Sequence, residues 1–467
     1  MHSFFYPRSI LLFGASKNPK KGGNHVLRNI LNYKKEKIYI IHPKHEEIEG
    51  IKCFKSIFDV PNKSIDLGII ILPVQFVLNA LEDCLKFGIN NIILESGALY
   101  IKGSDKDNRK NQQRIKTIKE KLTCNRDIKI MGPNSIGVYC ANEDKNNFTT
   151  SLIYFDDLPN FKNKNLAVIS QTGLTLSGLL SAQNYIQEIG FSKIAAIGNK
   201  FGVDETDVLK YLEQDPYTDV IAMYLEDIED GNKFRAICSK VLKKKPIILL
   251  KSGKTEKGKK AIVSHTNSLA GNYRIINGLA TQLGIIMVDD FFEMFSVVKM
   301  ILSQPIPQGN KLGIISISGA GTVISADLAE KYGLEIPAIS EVQFKDLKSI
   351  FPRWAWEDVY NPLDIWASVE HVGPDKAYGY AGEILLQGDI DILIYLITGI
   401  EETEFDWSIL SVLNERYPNV PIYMGFFGGD KKLLLNWREQ LEENHNIPTF
   451  QSLNLIFKTL SRILHSN

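Results

Sequence analysis

The chain has 467 residues, with 54 Lys+Arg balanced by 54 Asp+Glu. That length suggests about three domains, and the absence of net charge argues against nucleic acid or an anionic membrane surface as the main partner. Five cysteines scattered without a C-x-x-C pair read as reduced cytosolic thiols, no apolar run reaches the ~18 residues of a membrane span, and Met1 to Arg8 is too short and polar for a signal peptide; the expected location is cytoplasmic.

The first third alternates strands and helices. Ser9 to Phe13 is an apolar strand running into Gly14-Ala15-Ser16, followed by a Lys/Gly-rich turn to Gly23 and a helix from about Asn24. Ile38 to Ile41 ends in His42-Pro43-Lys44, Leu67 to Leu72 ends in Pro73, and Asn91 to Leu94 ends in Glu95-Ser96-Gly97. Continuous apolar runs without alternation predict strands buried on both faces. Their alternation with helices at Gln75 to Gly88 and Asp105 to Arg126 predicts a parallel, Rossmann-like sheet. Ligands of such sheets bind at the carboxyl ends of the strands. The first loop is not a clean G-x-G-x-x-G, and the second strand ends in His42 rather than the acid that bonds a ribose of NAD. Lys17, Lys20, Lys21 and Lys44 offer positive charge instead, which suits a phosphorylated nucleotide other than NAD, with coenzyme A the first candidate. The alternative is that Gly14, Gly22 and Gly23 only shape a tight turn. Gly132-Pro133-Asn134-Ser135 reads equally as a functional loop or an interdomain corner.

The middle third repeats the pattern. Leu166 to Ile169 leads to Ser170-Gln171-Thr172-Gly173, which opens a helix from about Leu174. Hydroxyls and a glycine at a helix start, with free N–H groups and the helix dipole, bind phosphate; the plain alternative is an N-cap. Ile194 to Ile197 ends in Gly198-Asn199-Lys200, Val220 to Leu225 ends in Glu226, and Pro246 to Leu250 leads through Lys251-Ser252-Gly253 and a basic helix to His265. His265 stands among small residues in Val263 to Gly271, read as a tight polar loop. An imidazole there is a nucleophile for a phosphoryl or acyl group, or a loop histidine bonding its own backbone. A carboxylate at Glu226 is suited to orienting an imidazole, or is a solvated strand-end acid.

Gln304 to Gln308 reads as a linker. Beyond it, Leu312 to Ile317 and a helix opened by Ser318-Gly319-Ala320-Gly321-Thr322 repeat the design of the Ser170 loop, with a second anion-binding helix start. Asn361-Pro362-Leu363-Asp364, strands at Ile390 to Ile397 and Val420 to Gly425, and an amphipathic helix from Leu453 to Leu464 complete the chain.

Taken in this order and spacing, Gly14-Ala15-Ser16, Pro43-Lys44, Gly132-Pro133-Asn134, Ser170 to Gly173, Gly198-Asn199-Lys200, Glu226, Ser264-His265-Thr266 with Ser268 to Gly271, and Asn361 to Asp364 resemble the α subunit of the NDP-forming acyl-CoA synthetases. That family is kin to succinyl-CoA synthetase and typified by ADP-forming acetyl-CoA synthetase. The resemblance covers essentially the whole chain. It implies an α/β architecture: a Rossmann-like CoA-binding domain over residues 1–130, a ligase domain over 131–303, the linker at 304–308 and a second flavodoxin-like ligase domain over 309–467. It implies reversible conversion of acyl-CoA, phosphate and ADP into free acid, CoA and ATP, through an acyl phosphate and a phosphohistidine. On this resemblance His265 is the phosphorylated residue and Glu226 the acid that orients it. Ser170, Gln171, Thr172 and Gly173, with Ser318, Gly319 and Gly321, hold phosphate. Gly14, Ala15, Ser16, Lys17, Pro43, Lys44, Pro73, Ser96, Gly97 and Asn134 hold coenzyme A. The family binds ADP and Mg2+ on an ATP-grasp module; this chain ends without one, so a β subunit and an α2β2 heterotetramer are expected, along with a small carboxylic acid substrate. The sequence departs from the family pattern at Asn267, usually glycine, at His42 and Ser135, and at Glu95 to Ala98, usually Ser-Ala-Gly-Phe. Two other readings stand beside this one: a CoA-binding sensor without turnover, and a module of a protein acyltransferase system, against which the end of the chain at Asn467 counts.

Overall fold

The computed structural model describes residues 1–466, apart from 34–36, 63, 100–103, 144–145, 156–164, 174–188 and 267–271, and gives only the backbone of 263–266. The helix expected from Leu174 and the stretch from Asn267 to Gly271 lie outside the described residues. The chain divides into two compact units, Met1–Ile285 and Ile286–Asn467. Residues 286–303, which precede the expected linker, group with the second unit.

In the first unit, a short helix α1 (His2–Phe5) precedes β1 (Ile10–Phe13), α2 (Gly22–Tyr33) and β2 (Ile38–Ile41). A small hairpin, β3 (Glu47–Ile48) and β4 (Ile51–Phe54), then leads to β5 (Leu67–Ile70), α3 (Val74–Phe87), β6 (Asn91–Leu94), α4 (Asp105–Cys124) and β7 (Lys129–Met131). The strands assemble in the order β3-β4-β2-β1-β5-β6-β7. All pairs are parallel except the β3–β4 hairpin. Every residue of β1 and β5 is buried, as expected of strands covered by helices on both faces. The helix α3 buries Val77, Leu78, Ala80, Leu81 and Cys84, one stripe at helical spacing, and ends at Gly88 in the left-handed conformation. The sheet turns direction at β1, which pairs β2 on one side and β5 on the other.

The second half of this unit contains β8 (Val138–Cys140), β9 (Phe148–Thr149), β10 (Asn165–Ser170), β11 (Gly190–Ala196), α5 (Glu205–Leu212), β12 (Val220–Leu225), α6 (Gly231–Val241), β13 (Ile247–Lys251), α7 (Glu256–Thr266) and α8 (Tyr273–Leu283). Six strands of this unit lie in the second sheet in the order β13-β12-β10-β11-β8-β9. The four from β13 to β11 are parallel, and β8 and β9 add antiparallel pairs at one end. Here the switch strand is β10, with β12 and β11 on its two sides.

The second unit holds β14 (Ile286–Val288), α9 (Phe291–Ser303), β15 (Leu312–Ser316), α10 (Gly319–Tyr332), α11 (Glu341–Leu347), β16 (Leu363–Asp364), α12 (Trp366–Val372), α13 (Pro374–Leu386), β17 (Ile392–Gly399), α14 (Ser408–Arg416), β18 (Ile422–Gly429), α15 (Lys431–Glu439), β19 (Thr449–Phe450) and α16 (Leu453–Leu464). Its sheet is parallel in the order β16-β15-β17-β18-β19. The helix α9 packs on α16, and its buried Glu293 accepts from Lys458 and Arg462, each at 2.9 Å.

Candidate active site

The exits of the first sheet come together because two glycines leave room. Gly14 follows β1 with φ +91°, and a Cβ built on it would lie 1.9 Å from the Ile71 carbonyl oxygen. A Cβ on Gly23, at the start of α2, would lie 2.0 Å from the Gly14 carbonyl oxygen. The loop between them braces itself: Ser16 Oγ accepts from the Asn18 N–H at 3.1 Å, and Asn24 Nδ2 donates to the Ser16 carbonyl at 2.8 Å. Ala15 is buried, while Lys17, Pro43 and Lys44 are exposed. His42 Nδ1 accepts the N–H groups of Lys44 and His45 at 3.2 and 3.0 Å, which leaves the ring proton on Nε2. Burial, then the charges of His45, Lys44 and Lys17, hold its pKa below the ordinary imidazole value. The β2 exit is therefore positive on its surface and neutral at position 42.

Pro73 sits at the N-cap of α3. Ser96 Oγ donates to the Leu72 carbonyl at 2.7 Å and accepts from the Leu72 N–H at 3.1 Å, so the hydroxyl clamps the exits of β5 and β6 together. Gly97 borders open space. Asn134, at φ +60°, donates its N–H to the Ser96 carbonyl at 2.8 Å. All the residues expected to hold coenzyme A thus lie at one edge of the sheet, where register aligns Phe13 with Ile41 and Ile70, and Ile70 with Leu94. Glu95 lies in the same edge, 6% exposed, and burial pushes its carboxyl well above the ordinary range.

The Gly132 to Ser135 turn is the corner between the two sheets. Gly132 N–H donates to the Ile197 carbonyl at 3.2 Å, Asn199 N–H to the Pro133 carbonyl at 2.8 Å, and Ser135 Oγ to the Ala196 carbonyl at 2.6 Å. One short segment therefore bonds the exit of β6 to the exit of β11.

At the exits of the second sheet a buried polar network replaces the open loops of the first. Ser170 Oγ accepts from the Thr172 N–H at 3.1 Å and donates to the Thr172 carbonyl at 3.0 Å, folding the loop back on its own strand. Gln171 reaches across to β12: its Oε1 accepts the N–H groups of Glu226 and Asp227 at 2.6 and 3.1 Å, and its Nε2 donates to Asp227 Oδ1 at 2.5 Å. Glu226 is 4% exposed, with the Tyr224 hydroxyl 3.5 Å from its Oε1. Lys251 Nζ donates to the Glu226 and Ser252 carbonyls, each at 2.6 Å. Lys200, at φ +51°, pairs with Asp227 at 2.8 Å and Glu205 at 3.2 Å. Burial pulls the Lys200 pKa down, but Glu205 and Asp227 together win and raise it. Burial lowers Lys251 to about 8 and, against the pull of Lys200, raises Glu205. Glu226 is therefore fixed at its backbone from two sides. Glu205, Asp227, Lys251 and, in the first sheet, Glu95 did not stand out in the sequence as site residues. The one local signal is that Lys251 closes an uninterrupted apolar strand.

The backbone places His265 in the last turn of α7, so the residue expected in a loop is helical; its side chain lies outside the described residues. Gly173 packs close to Ile136. In the second unit the expected pattern recurs, but two residues earlier than read. Ser316, last in β15, accepts from the Ser318 N–H at 3.2 Å and donates to the Ser318 carbonyl at 2.8 Å, the same brace that Ser170 makes with Thr172. Ser318 caps α10 by accepting from the Ala320 N–H at 3.3 Å. A Cβ on Gly319 would lie 3.1 Å from Asp364 Oδ2, and one on Gly321 only 2.2 Å from Ser316 Oγ. Asn361 is a buried tie: its Oδ1 accepts from the Ile314 N–H at 3.0 Å and its Nδ2 donates to the Leu312 carbonyl at 2.7 Å.

Two family models match this chain, a CoA binding domain over residues 8–141 and a succinyl-CoA ligase like flavodoxin domain over residues 163–301. The α subunit of acetate–CoA ligase [ADP-forming] II of Pyrococcus furiosus is 32% identical over 454 residues, 96% of this chain and 94% of the relative. This chain belongs to the ADP-forming acetate–CoA ligase family. Acetate–CoA ligase [ADP-forming] II of Archaeoglobus fulgidus is 34% identical over 83% of this chain, and the match spans 56% of that longer relative. Among solved structures, dinucleotide forming acetyl-coenzyme A synthetase 1 of Ca. Korarchaeum cryptofilum, in complex with phosphate and ADP, matches with a TM-score of 0.81 and 28% identity over 100% of this chain and 96% of that chain. The family assignment agrees with the resemblance read from the motifs, and the α/β fold agrees with the family.

Proposed function

We propose that this chain is the CoA-binding, phosphoryl-carrying subunit of an ADP-forming acyl-CoA ligase, acting with a nucleotide-binding partner. The observation that carries this reading is the exit of β12. There a buried acid, Glu226, has its backbone pinned from one side by the Gln171 amide and from the other by Lys251, where the chain departs for the helix that carries His265. Phosphate displaces coenzyme A from the thioester and leaves an acyl phosphate. His265 accepts the phosphoryl group as the free acid departs, and returns it to ADP. Glu226 accepts the N–H of the ring, which fixes its direction and stabilises the imidazolium that forms. Coenzyme A fits the first sheet. The missing Cβ atoms at Gly14 and Gly23 let the β1 exit pack against Ile71 and the start of α2 against Gly14, which shapes the loop, and Lys17 and Lys44 supply charge for a pyrophosphate. Mg2+ and the nucleotide belong to an ATP-grasp β subunit in an α2β2 assembly, and the acid substrate is a small carboxylate such as acetate.

The test is phosphorylation of the chain purified with its partner, using labelled ATP and Mg2+. The expected product is an acid-labile, base-stable phosphate, absent in His265→Ala and formed ~10²-fold more slowly in Glu226→Gln. A wild-type chain that binds coenzyme A but takes no label refutes the reading and leaves a CoA-binding sensor.

A further inference from the structure

The amine of Lys251 touches the backbone at two neighbouring strand exits, that of β12 at Glu226 and that of β13 at Ser252. It closes β13 in register with Leu225 of β12, is fully buried, and donates to the carbonyl of Glu226 on one strand exit and of Ser252 on the other. A buried ammonium without a partner ion is costly, and a strand that needed only an apolar end would not keep one. Around it stand Glu226 and Asp227 from the β12 exit, Tyr224 on that strand, Lys200 from the β11 exit and Lys259 from α7. Among the described residues, the carboxyl groups of Glu205, Glu226 and Asp227 thus share a buried region with two buried ammonium groups, those of Lys200 and Lys251.

We propose that Lys251 is a positioning residue for phosphoryl transfer: it ties the backbone of Glu226 to the segment leading to His265, and its charge keeps the acid cluster receptive to a phosphoryl anion. This rests on the reading of His265 and Glu226 above. The two contributions separate by pH. A neutral amine retains two N–H donors, enough for both carbonyls, so loss of its proton leaves the tie and removes only the charge. With that charge gone, the cluster is more negative, Glu226 binds a proton more readily, and a phosphoryl dianion is repelled. Burial has already brought Lys251 to about 8, so this loss falls within an accessible pH range.

The experiment follows the rate of phosphoenzyme formation from labelled ATP between pH 6 and 10, with the chain and its partner together. The wild type is expected to lose rate with a midpoint near pH 8. Lys251→Arg keeps charge and donors but titrates far higher, so the alkaline limb of whatever rate it retains should disappear. Lys251→Met should be slowed ~10-fold or more at pH 7, with no limb near 8. Should Lys251→Arg fail to fold, Lys259→Gln serves instead: removing that nearby cation raises the pKa of Lys251 and should move the limb upward with the neutral rate unchanged. An alkaline limb that stays put in Lys251→Arg, or in Lys259→Gln, overturns the proposal, as does Lys251→Met labelling at the wild-type rate. A wild type that takes no label at any pH overturns the His265 reading itself, and this inference falls with it.

Discussion

Gln171→Met removes the amide that joins the β10 loop to β12 while keeping a side chain of similar length. Three hydrogen bonds are lost, at 2.6, 3.1 and 2.5 Å. The N–H groups of Glu226 and Asp227 lose their shared acceptor inside a buried site; at about 1–3 kcal/mol for each unsatisfied buried donor, the pair amounts to about 2–6 kcal/mol. Asp227 suffers less, because Lys200 remains beside it at 2.8 Å. All five tryptophans (354, 356, 366, 407 and 437) lie in the second unit, so their fluorescence reports on the wrong part of the chain. Urea unfolding should be followed by amide hydrogen exchange at β10 and β12, with tryptophan fluorescence as an internal reference for the second unit. The expected result is a loss of about 2–6 kcal/mol in protection of those strands. A loss below about 1 kcal/mol would mean that the two N–H groups find other partners, and it would refute the argument that Gln171 braces this site.

Glu95→Gln tests the buried acid of the first sheet. Burial keeps the folded carboxyl protonated well above its ordinary pKa, while the unfolded chain ionises near that ordinary value. Stability from this group is therefore complete at low pH and declines as pH rises toward the folded pKa. The glutamine variant should be more stable than wild type at pH 8 and less sensitive between pH 5 and 8 in urea titrations; identical pH dependence would show that Glu95 ionises freely. Gly23→Ala places a Cβ 2.0 Å from the backbone of Gly14, which cannot yield without opening the loop, whereas Gly22→Ala meets only the flexible end of Leu152 at 2.8 Å. The first should cost about 1–3 kcal/mol and weaken coenzyme A binding ~10-fold or more by calorimetry. The second should be milder in both, and equal effects would count against the close approach at Gly14.

Strands of the sheets were legible because burial on both faces leaves a short apolar run bounded by turn residues; β1, β5, β10 and β12 are of this kind. The β3–β4 hairpin and the antiparallel β8 and β9 were not, since strands of two to four residues carry no readable period. Loop residues at the strand exits were found by their Gly, Ser and Pro content. What those side chains do was hidden, because their partners lie far away in the chain. Gln171 meets the backbone of Glu226 only because β12 lies beside β10, and Ser96 meets Leu72 only because β6 lies beside β5. The corner at Gly132 to Ser135 was likewise an even choice until both sheets were in place.

The two phosphate-type loops show why a hydroxyl at a strand exit has more than one meaning. At the end of β10 and again at the end of β15, a serine bonds both the N–H and the carbonyl of the residue two places on. This brace bends the chain into the start of the next segment, and any anion site there is formed by backbone rather than by the serine itself. The equivalence aligns Ser170 with Ser316 and Thr172 with Ser318, and it sets Gln171 against Ile317. An isoleucine offers no acceptor to a neighbouring strand, and the register places Thr398 and Gly399 of β17 where Glu226 and Asp227 stand beyond Tyr224 of β12. The first loop therefore holds the backbone of two acids on the neighbouring strand, and the second has no side chain that does so. On the proposed phosphoryl relay, that difference makes the sheet of β10 the one suited to orienting the nucleophile.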